Sequence, residues 1–191
     1  NVTISGGTLA LFSKDDGVHA DGTLTVSGGK IVISGCYEGL EGEFVSIKGG
    51  DISIVSSDDG INATTTSGTG ITFEDGKVYV YAGGDGVDSN SKTQYSGILF
   101  AGGEITIVST SGGDSSIDTE NGYTYTGGTV LALSPSGGMA SEATNCKNFS
   151  SVATKTTMNL SQGQTVSVKV DGEAVMSVEM PCRLSALVVY L

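Results

Sequence analysis

Carboxylates recur along this chain in turns of one kind. Aligned on an acidic-Gly-aliphatic-polar step, the residue before Gly is Asp16, Glu38, Asp59 or Asp85. The residue after the aliphatic one is His19, Glu41, Asn62, Asp88 or Asp118, and Asp15, Asp58 and Asp114 add carboxylates just ahead of the turn. If these turns stack, equivalent carboxylates lie about 4.8 Å apart. Ionised groups at that spacing repel one another unless a positive charge sits between them. A hard cation answers that need. Ca²⁺ takes six to eight oxygens, and Asp, Glu, Asn and carbonyl groups from adjacent turns are such donors. The candidate ligands are Asp15, Asp16, Glu38, Glu41, Asp58, Asp59, Asn62, Asp85 and Asp88. Any one Asp-Gly is explained by turn preference alone. A ladder of five is not.

The elements that position these turns are legible as a repeat. VTISGGTLALFSKDDGVHA from Val2 is followed by LTVSGGKIVISGCYEGLEG from Leu24 and VSIKGGDISIVSSDDGINA from Val45. Looser copies begin at Ile71, Ile98 and Tyr123. Gly pairs at 6, 28, 49, 102 and 127, with Asp75-Gly76 between, are 21 to 27 residues apart. Three short alternating strands per step are the signature of a β-solenoid. Val2/Ile4 and their equivalents form one inward column and Leu9/Leu11 and theirs a second. Val18, Leu40, Ile61, Val87 and Ile117 form a third. Side chains of a strand alternate with period two, so each column faces one way. Gly pairs supply the positive φ of a sharp corner. The expectation is a right-handed parallel β-helix of about six coils over residues 1–133. Residues 134–191 read as an irregular loop followed by a hairpin at Asp171-Gly172, packed on or extending the helix, where an open edge would invite aggregation.

Composition narrows the partners. Nine Lys and Arg oppose 21 Asp and Glu, a net charge of −12. That argues against nucleic acid and anionic membrane, whose binding needs phosphate neutralised by cations. No apolar run approaches 18 residues, so no membrane insertion is expected. Gly is 30 of 191 residues with no three-residue period, which excludes collagen. Cys36, Cys146 and Cys182 fit no metal spacing; buried free thiols suit them, with a Cys146–Cys182 pair as the alternative. The chain opens inside a coil and closes inside a strand-like run, as expected of a mature or excised fragment with possible flanking domains.

SKDDGVHADG, YEGLEGE and SSDDGINA, separated by I-x-I and Gly-Gly, resemble the motif set of a bacterial extracellular family of carbohydrate-binding domain-containing proteins. The β-helix of that family is similar to that of pectate lyases. The resemblance covers residues 1–133 well and the tail more loosely. It implies binding of plant cell-wall polysaccharide, calcium in the acidic turns, and an extracellular or cell-surface location. The matching positions are Asp15, Asp16, Asp58 and Asp59 in the DDG turns, with Glu38 and Glu41 in EGLE. The fourth and fifth coils depart from it with GGDGVDS and GGDSSIDT, the former close to a calcium nonapeptide.

Three readings of function follow. A non-catalytic, calcium-dependent module for acidic pectic polysaccharide or β-glucan is favoured. Tyr79 and Tyr81 would make an outward aromatic platform for it, with Tyr37 (and Tyr95) near turns able to touch ligand. A calcium-dependent lyase would need a Lys or Arg base by the metal, and only Lys14 adjoins an acidic cluster. His19, the sole histidine, reads as a hydrogen-bonded turn residue rather than a catalyst. The third reading is a structural stalk or adhesin segment.

Overall fold

The computed structural model describes residues 1–91, 97–120, 122–135, 146–147 and 153–190. The first three repeats run as long bent strands, β1 (Val2–Leu11), β2 (Val18–Ile33) and β3 (Leu40–Val55). Later repeats break at their corners into β4 (Ile61–Ala63), β5 (Ile71–Ala82), β6 (Val87–Ser89), β7 (Ile98–Phe100), β8 (Glu104–Ser109), β9 (Ile117–Thr119), β10 (Tyr123–Tyr125) and β11 (Thr129–Ser134). Then come β12 (Cys146–Lys147), β13 (Ala153–Leu160), β14 (Thr165–Val170), β15 (Glu173–Glu179) and β16 (Leu184–Tyr190). No helix occurs among the described residues.

Successive repeats pair in parallel with the expected residues in register. Leu24 pairs with Val45, Val45 with Ile71, Ile71 with Ile98 and Ile98 with Tyr123. The second column pairs Ile31 with Ile52, Ile52 with Val78 and Val78 with Ile105. The third runs Val18, Leu40, Ile61, Val87, Ile117. These columns are buried in one core except Val2, Leu9, Leu11 and Val18 of the first coil, which are partly buried against it, and Phe73 stacks on Phe100 at 5.1 Å. The result is a β-solenoid of about five turns. The repeat count suggests six; among the described residues the sixth repeat extends the first two columns, through β10 and β11.

Glycine does two jobs here. Gly50 turns its corner at φ 105° and stacks on the previous corner, where a Cβ would lie 3.1 Å from the Gly29 carbonyl oxygen. Gly60, in an acidic turn, has an ordinary φ; a Cβ there would overlap Val80 Cγ1 and approach the Gly86 carbonyl oxygen at 2.5 Å. That closeness seats the acidic turn directly on the second column's aliphatic ladder.

Outward positions of the second column also stack. Lys30, Asp51, Lys77 and Glu104 lie in register, with Lys30–Asp51 at 3.7 Å and Lys77–Glu104 at 2.9 Å. Alternating sign turns the close spacing into attraction. These pairs are exposed, so each contributes only about 0–1 kcal/mol.

The C-terminal segment covers part of this outer face. β16 pairs antiparallel with β11 and with β13, while β14 and β15 form a separate two-stranded sheet. Val168, Met176, Met180 and Leu184 pack on Val108, Leu131 and Leu133, with Tyr81 at the margin. Val108 and Leu133, outward by strand alternation, are thereby fully buried; Val55 and Phe12 in the same column stay 37% and 79% exposed. Cys36 and Cys182 are free thiols; the Cys146 side chain lies outside the described residues.

Ile54→Ala, in mid-stack, should cost about 2–5 kcal/mol in denaturant unfolding, and Gly60→Ala about 1–3 kcal/mol through overpacking. Ser53→Thr, on the outer face, should stay within about 0.5 kcal/mol of the parent.

Candidate functional site

The third column places the acidic turns on one face. Each turn is hydrogen-bonded to the next: Gly17 N–H donates to Glu38 O, Gly39 N–H to Asp59 O, Gly60 N–H to Asp85 O and Gly86 N–H to Ser115 O. Asp16, Glu38, Asp59, Asp85 and Ser115 therefore form one rank. His19, Glu41, Asn62, Asp88 and Asp118 form the second, paired in register.

Between the ranks the side chains converge. Asn62 Nδ2 donates to Glu38 Oε2 at 3.0 Å. Asp59 Oδ1 accepts from the Asp85 N–H at 2.8 Å, and Asp85 Oδ1 from the Ser115 N–H at 2.6 Å. Asp88 Oδ2 accepts from Asn90 Nδ2 at 3.3 Å. Asn62 is only 8% exposed, and its Oδ1 has no hydrogen-bond partner.

The electrostatics follow from burial without counter-charge. Asp59 is pushed up to about 7, Asp85 to about 6 and Asp88 to about 8, in each case chiefly by desolvation and then by neighbouring carboxylates. Backbone N–H donors pull Asp59 and Asp85 partly back. Glu38 and Glu41 are raised by burial as well. The charges acting most strongly on Asp59, Asp85 and Asp88 are other carboxylates.

Of the expected ligands, Glu38, Asp59, Asn62, Asp85 and Asp88 thus meet in the middle of the ladder, and Asp16 and Glu41 meet at its first-coil end. Asp58 lies beside the exposed Tyr37, whose hydroxyl is raised by its hydrogen bond to Asp58. Asp15 is exposed on the rim, where its carbonyl accepts from the Tyr37 N–H. His19, expected as a hydrogen-bonded turn residue, is bonded to Glu41, and its ring also touches Asp16 and Asp21, which joins it to the cluster although it was not among the expected ligands. Its place in the same alignment column as Glu41 was the available signal.

The aromatic residues divide between two faces. Tyr37 is 49% exposed on the acidic face. Tyr79 and Tyr81 lie on the outer face of β5, both partly buried, with Tyr81 against the C-terminal cluster. The platform is therefore bordered by the hairpin rather than open. Tyr95 falls outside the described residues. No helix among the described residues is long and apolar enough to cross a membrane.

The description "Carbohydrate-binding domain-containing protein" matches residues 42–181, most of the chain. The chain belongs to that family. The match takes in Asp58, Asp59, Asn62, Asp85 and Asp88 together with the hairpin that packs on the solenoid, and begins just after Glu41. No curated protein and no solved structure matches the chain significantly.

A carboxyl whose pKa is raised on folding keeps a proton that the unfolded chain has already released. Metal-free stability is therefore fullest below the unfolded value of about 3.9 and is lost as pH rises through the folded values. For Asp85, Asp59 and Asp88 that window ends at about 6, 7 and 8. In chelator the melting temperature should fall steadily between about pH 4 and pH 8. Asp88→Asn should flatten the upper part of that fall and raise the melting temperature at pH 8.

Proposed function

We propose that this chain is a non-catalytic, calcium-dependent carbohydrate-binding module acting outside the cell on plant cell-wall polysaccharide, acidic pectic or β-glucan. The observation that carries this reading is the Asn62 carbonyl oxygen, buried and unpaired in the middle of a carboxylate ladder. A buried acceptor without a partner costs about 1–3 kcal/mol. The carboxylates around it accept but cannot donate once ionised, so the site calls for a cation. Glu38, Asp58, Asp59, Asn62, Asp85 and Asp88 offer only oxygen, the donor type of a hard ion. Asp15, Asp16 and Glu41 stand towards the first coil, outside this middle set.

Calcium, when bound, neutralises the ladder and leaves coordination positions for glycan carboxylate and hydroxyl oxygens. The protein's own part is to hold the oxygens fixed. Backbone donors from the next turn orient Asp59 and Asp85, and the Asn62 amide orients Glu38. Tyr37 stands on the same face beside Asp58 and gives a ring on which a sugar's apolar face can rest. Family membership supports carbohydrate as the ligand class. At −12 the chain repels an acidic polymer, so that partner needs the cation. A neutral glucan does not, and would lie along Tyr79, Tyr81, Val55 and Phe12 beside the hairpin.

Affinity electrophoresis in gels of polygalacturonate or β-glucan, with and without chelator, tests this. Retardation by polygalacturonate should vanish in chelator and in Asp88→Asn, and weaken in Tyr37→Ala. Retardation by β-glucan should survive chelation. Chelator-resistant binding to the acidic polymer would reject the calcium-dependent mode, and no binding to either would favour a structural stalk. Release of an ultraviolet-absorbing unsaturated product would replace the module reading with a lyase.

A further inference from the structure

The first-coil end of the ladder differs chemically from its middle. There the second rank begins with an imidazole, and His19 Nδ1 lies 3.3 Å from Asp16 Oδ2 and 2.5 Å from Glu41 Oε2. The three ligand atoms lie within 4.8 Å of one another. On the other side of the ring, Nε2 lies 3.4 Å from Asp21 Oδ1.

We propose that Asp16, His19 and Glu41 form a separate site for a borderline divalent transition metal of the Zn²⁺ class. The donor types fit such an ion. Imidazole suits zinc and its neighbours, whereas calcium takes oxygen. Calcium itself gains nothing from a nitrogen ligand at this position.

Geometry is the second argument. Ligands about 2.0–2.1 Å from a tetrahedral zinc are about 3.3–3.4 Å apart, the separation of Nδ1 from Asp16. Glu41 must draw back by under about 1 Å to reach the same spacing. His19 is 47% exposed and Glu41 17%, so the site opens to solvent on the imidazole side, where water can fill a fourth position.

Asp21 supplies the third. With the metal on Nδ1, the free Nε2 has the Asp21 carboxylate 3.4 Å away, close to the carboxylate–histidine–metal arrangement that fixes a ring's tautomer. Backbone pairing fixes the set beneath it: Val18, His19 and Ala20 pair residue by residue with Leu40, Glu41 and Gly42. The imidazole and the Glu41 carboxylate are thus side by side on adjacent rungs of a rigid sheet. The proposal rests on the acidic ladder, but not on calcium or glycan binding at its middle.

The test uses the full chain. With one histidine in the sequence, the ring resonances in a ¹⁵N-labelled sample belong to His19 alone. Adding Zn²⁺ in the presence of excess Ca²⁺ should shift Nδ1 strongly, while Ca²⁺ alone should leave it in place. By calorimetry His19→Gln and Glu41→Gln should each weaken Zn²⁺ binding more than about tenfold. His19→Gln should keep the parent's calcium-dependent rise in melting temperature, which shows that it is folded. An unmoved His19 ring, or equal Zn²⁺ affinity in parent and His19→Gln, would overturn the site and leave His19 as an ion-pair partner of its three carboxylates. Asp88→Asn should lose calcium response yet keep the Zn²⁺-dependent ring shift, so the two sites fail separately.

Discussion

Parallel pairing in strict register sets the terms for everything else in this molecule. Each residue of a coil lies on its equivalent in the next, about 4.8 Å away. For aliphatic residues that repetition is favourable: Ile31, Ile52, Val78 and Ile105 form a continuous buried ladder that no single coil could enclose. For charged residues it is a liability, because like stacks on like.

Two faces meet that liability differently. On the outer face of the second column, Lys30, Asp51, Lys77 and Glu104 alternate in sign, and the stack becomes a run of ion pairs. On the third column no such alternation exists. Apart from His19 at the first-coil end and the neutral Asn62 and Ser115, carboxylate follows carboxylate; desolvation raises Asp59, Asp85 and Asp88 towards neutrality, and Asn62 keeps a buried carbonyl oxygen without a donor. The chain balances one stack and leaves the other unbalanced, and the proposed cation site rests on that contrast. The conflict between stability and charge at such a site is of the kind expected where function is stored in local strain.

The remaining surface is shaped by the C-terminal segment. A row of outward apolar residues on a solenoid sheet would present an extended sticky strip. The packing of Met176, Met180 and Leu184 over Val108 and Leu133 removes the later half of it. Phe12 and Val55 remain open, and Tyr79 and Tyr81 sit at the boundary. The same segment also pairs β16 with the edge of β11, so that strand ends in an antiparallel partner rather than bare. The family match spans both the ladder and this segment.

The repeat alone determined the solenoid, because a period of three short strands with inward residues two apart has one way to close its core. It determined the three columns and their register, and it placed the acidic residues on one face, since equal positions in successive coils must stack. It also marked the Gly pairs as corners. Other things were decided only by the tertiary structure. Whether a stacked carboxylate is solvated or buried depends on how closely its turn sits against the core, and that closeness comes from glycines such as Gly60 whose φ is unremarkable. The convergence of Asp16, Asp21 and Glu41 on His19 depends on rotamers that spacing does not specify. The partial covering of Tyr81 depends on which face a hairpin far along the chain selects, and a contact between distant segments leaves no periodic trace in sequence.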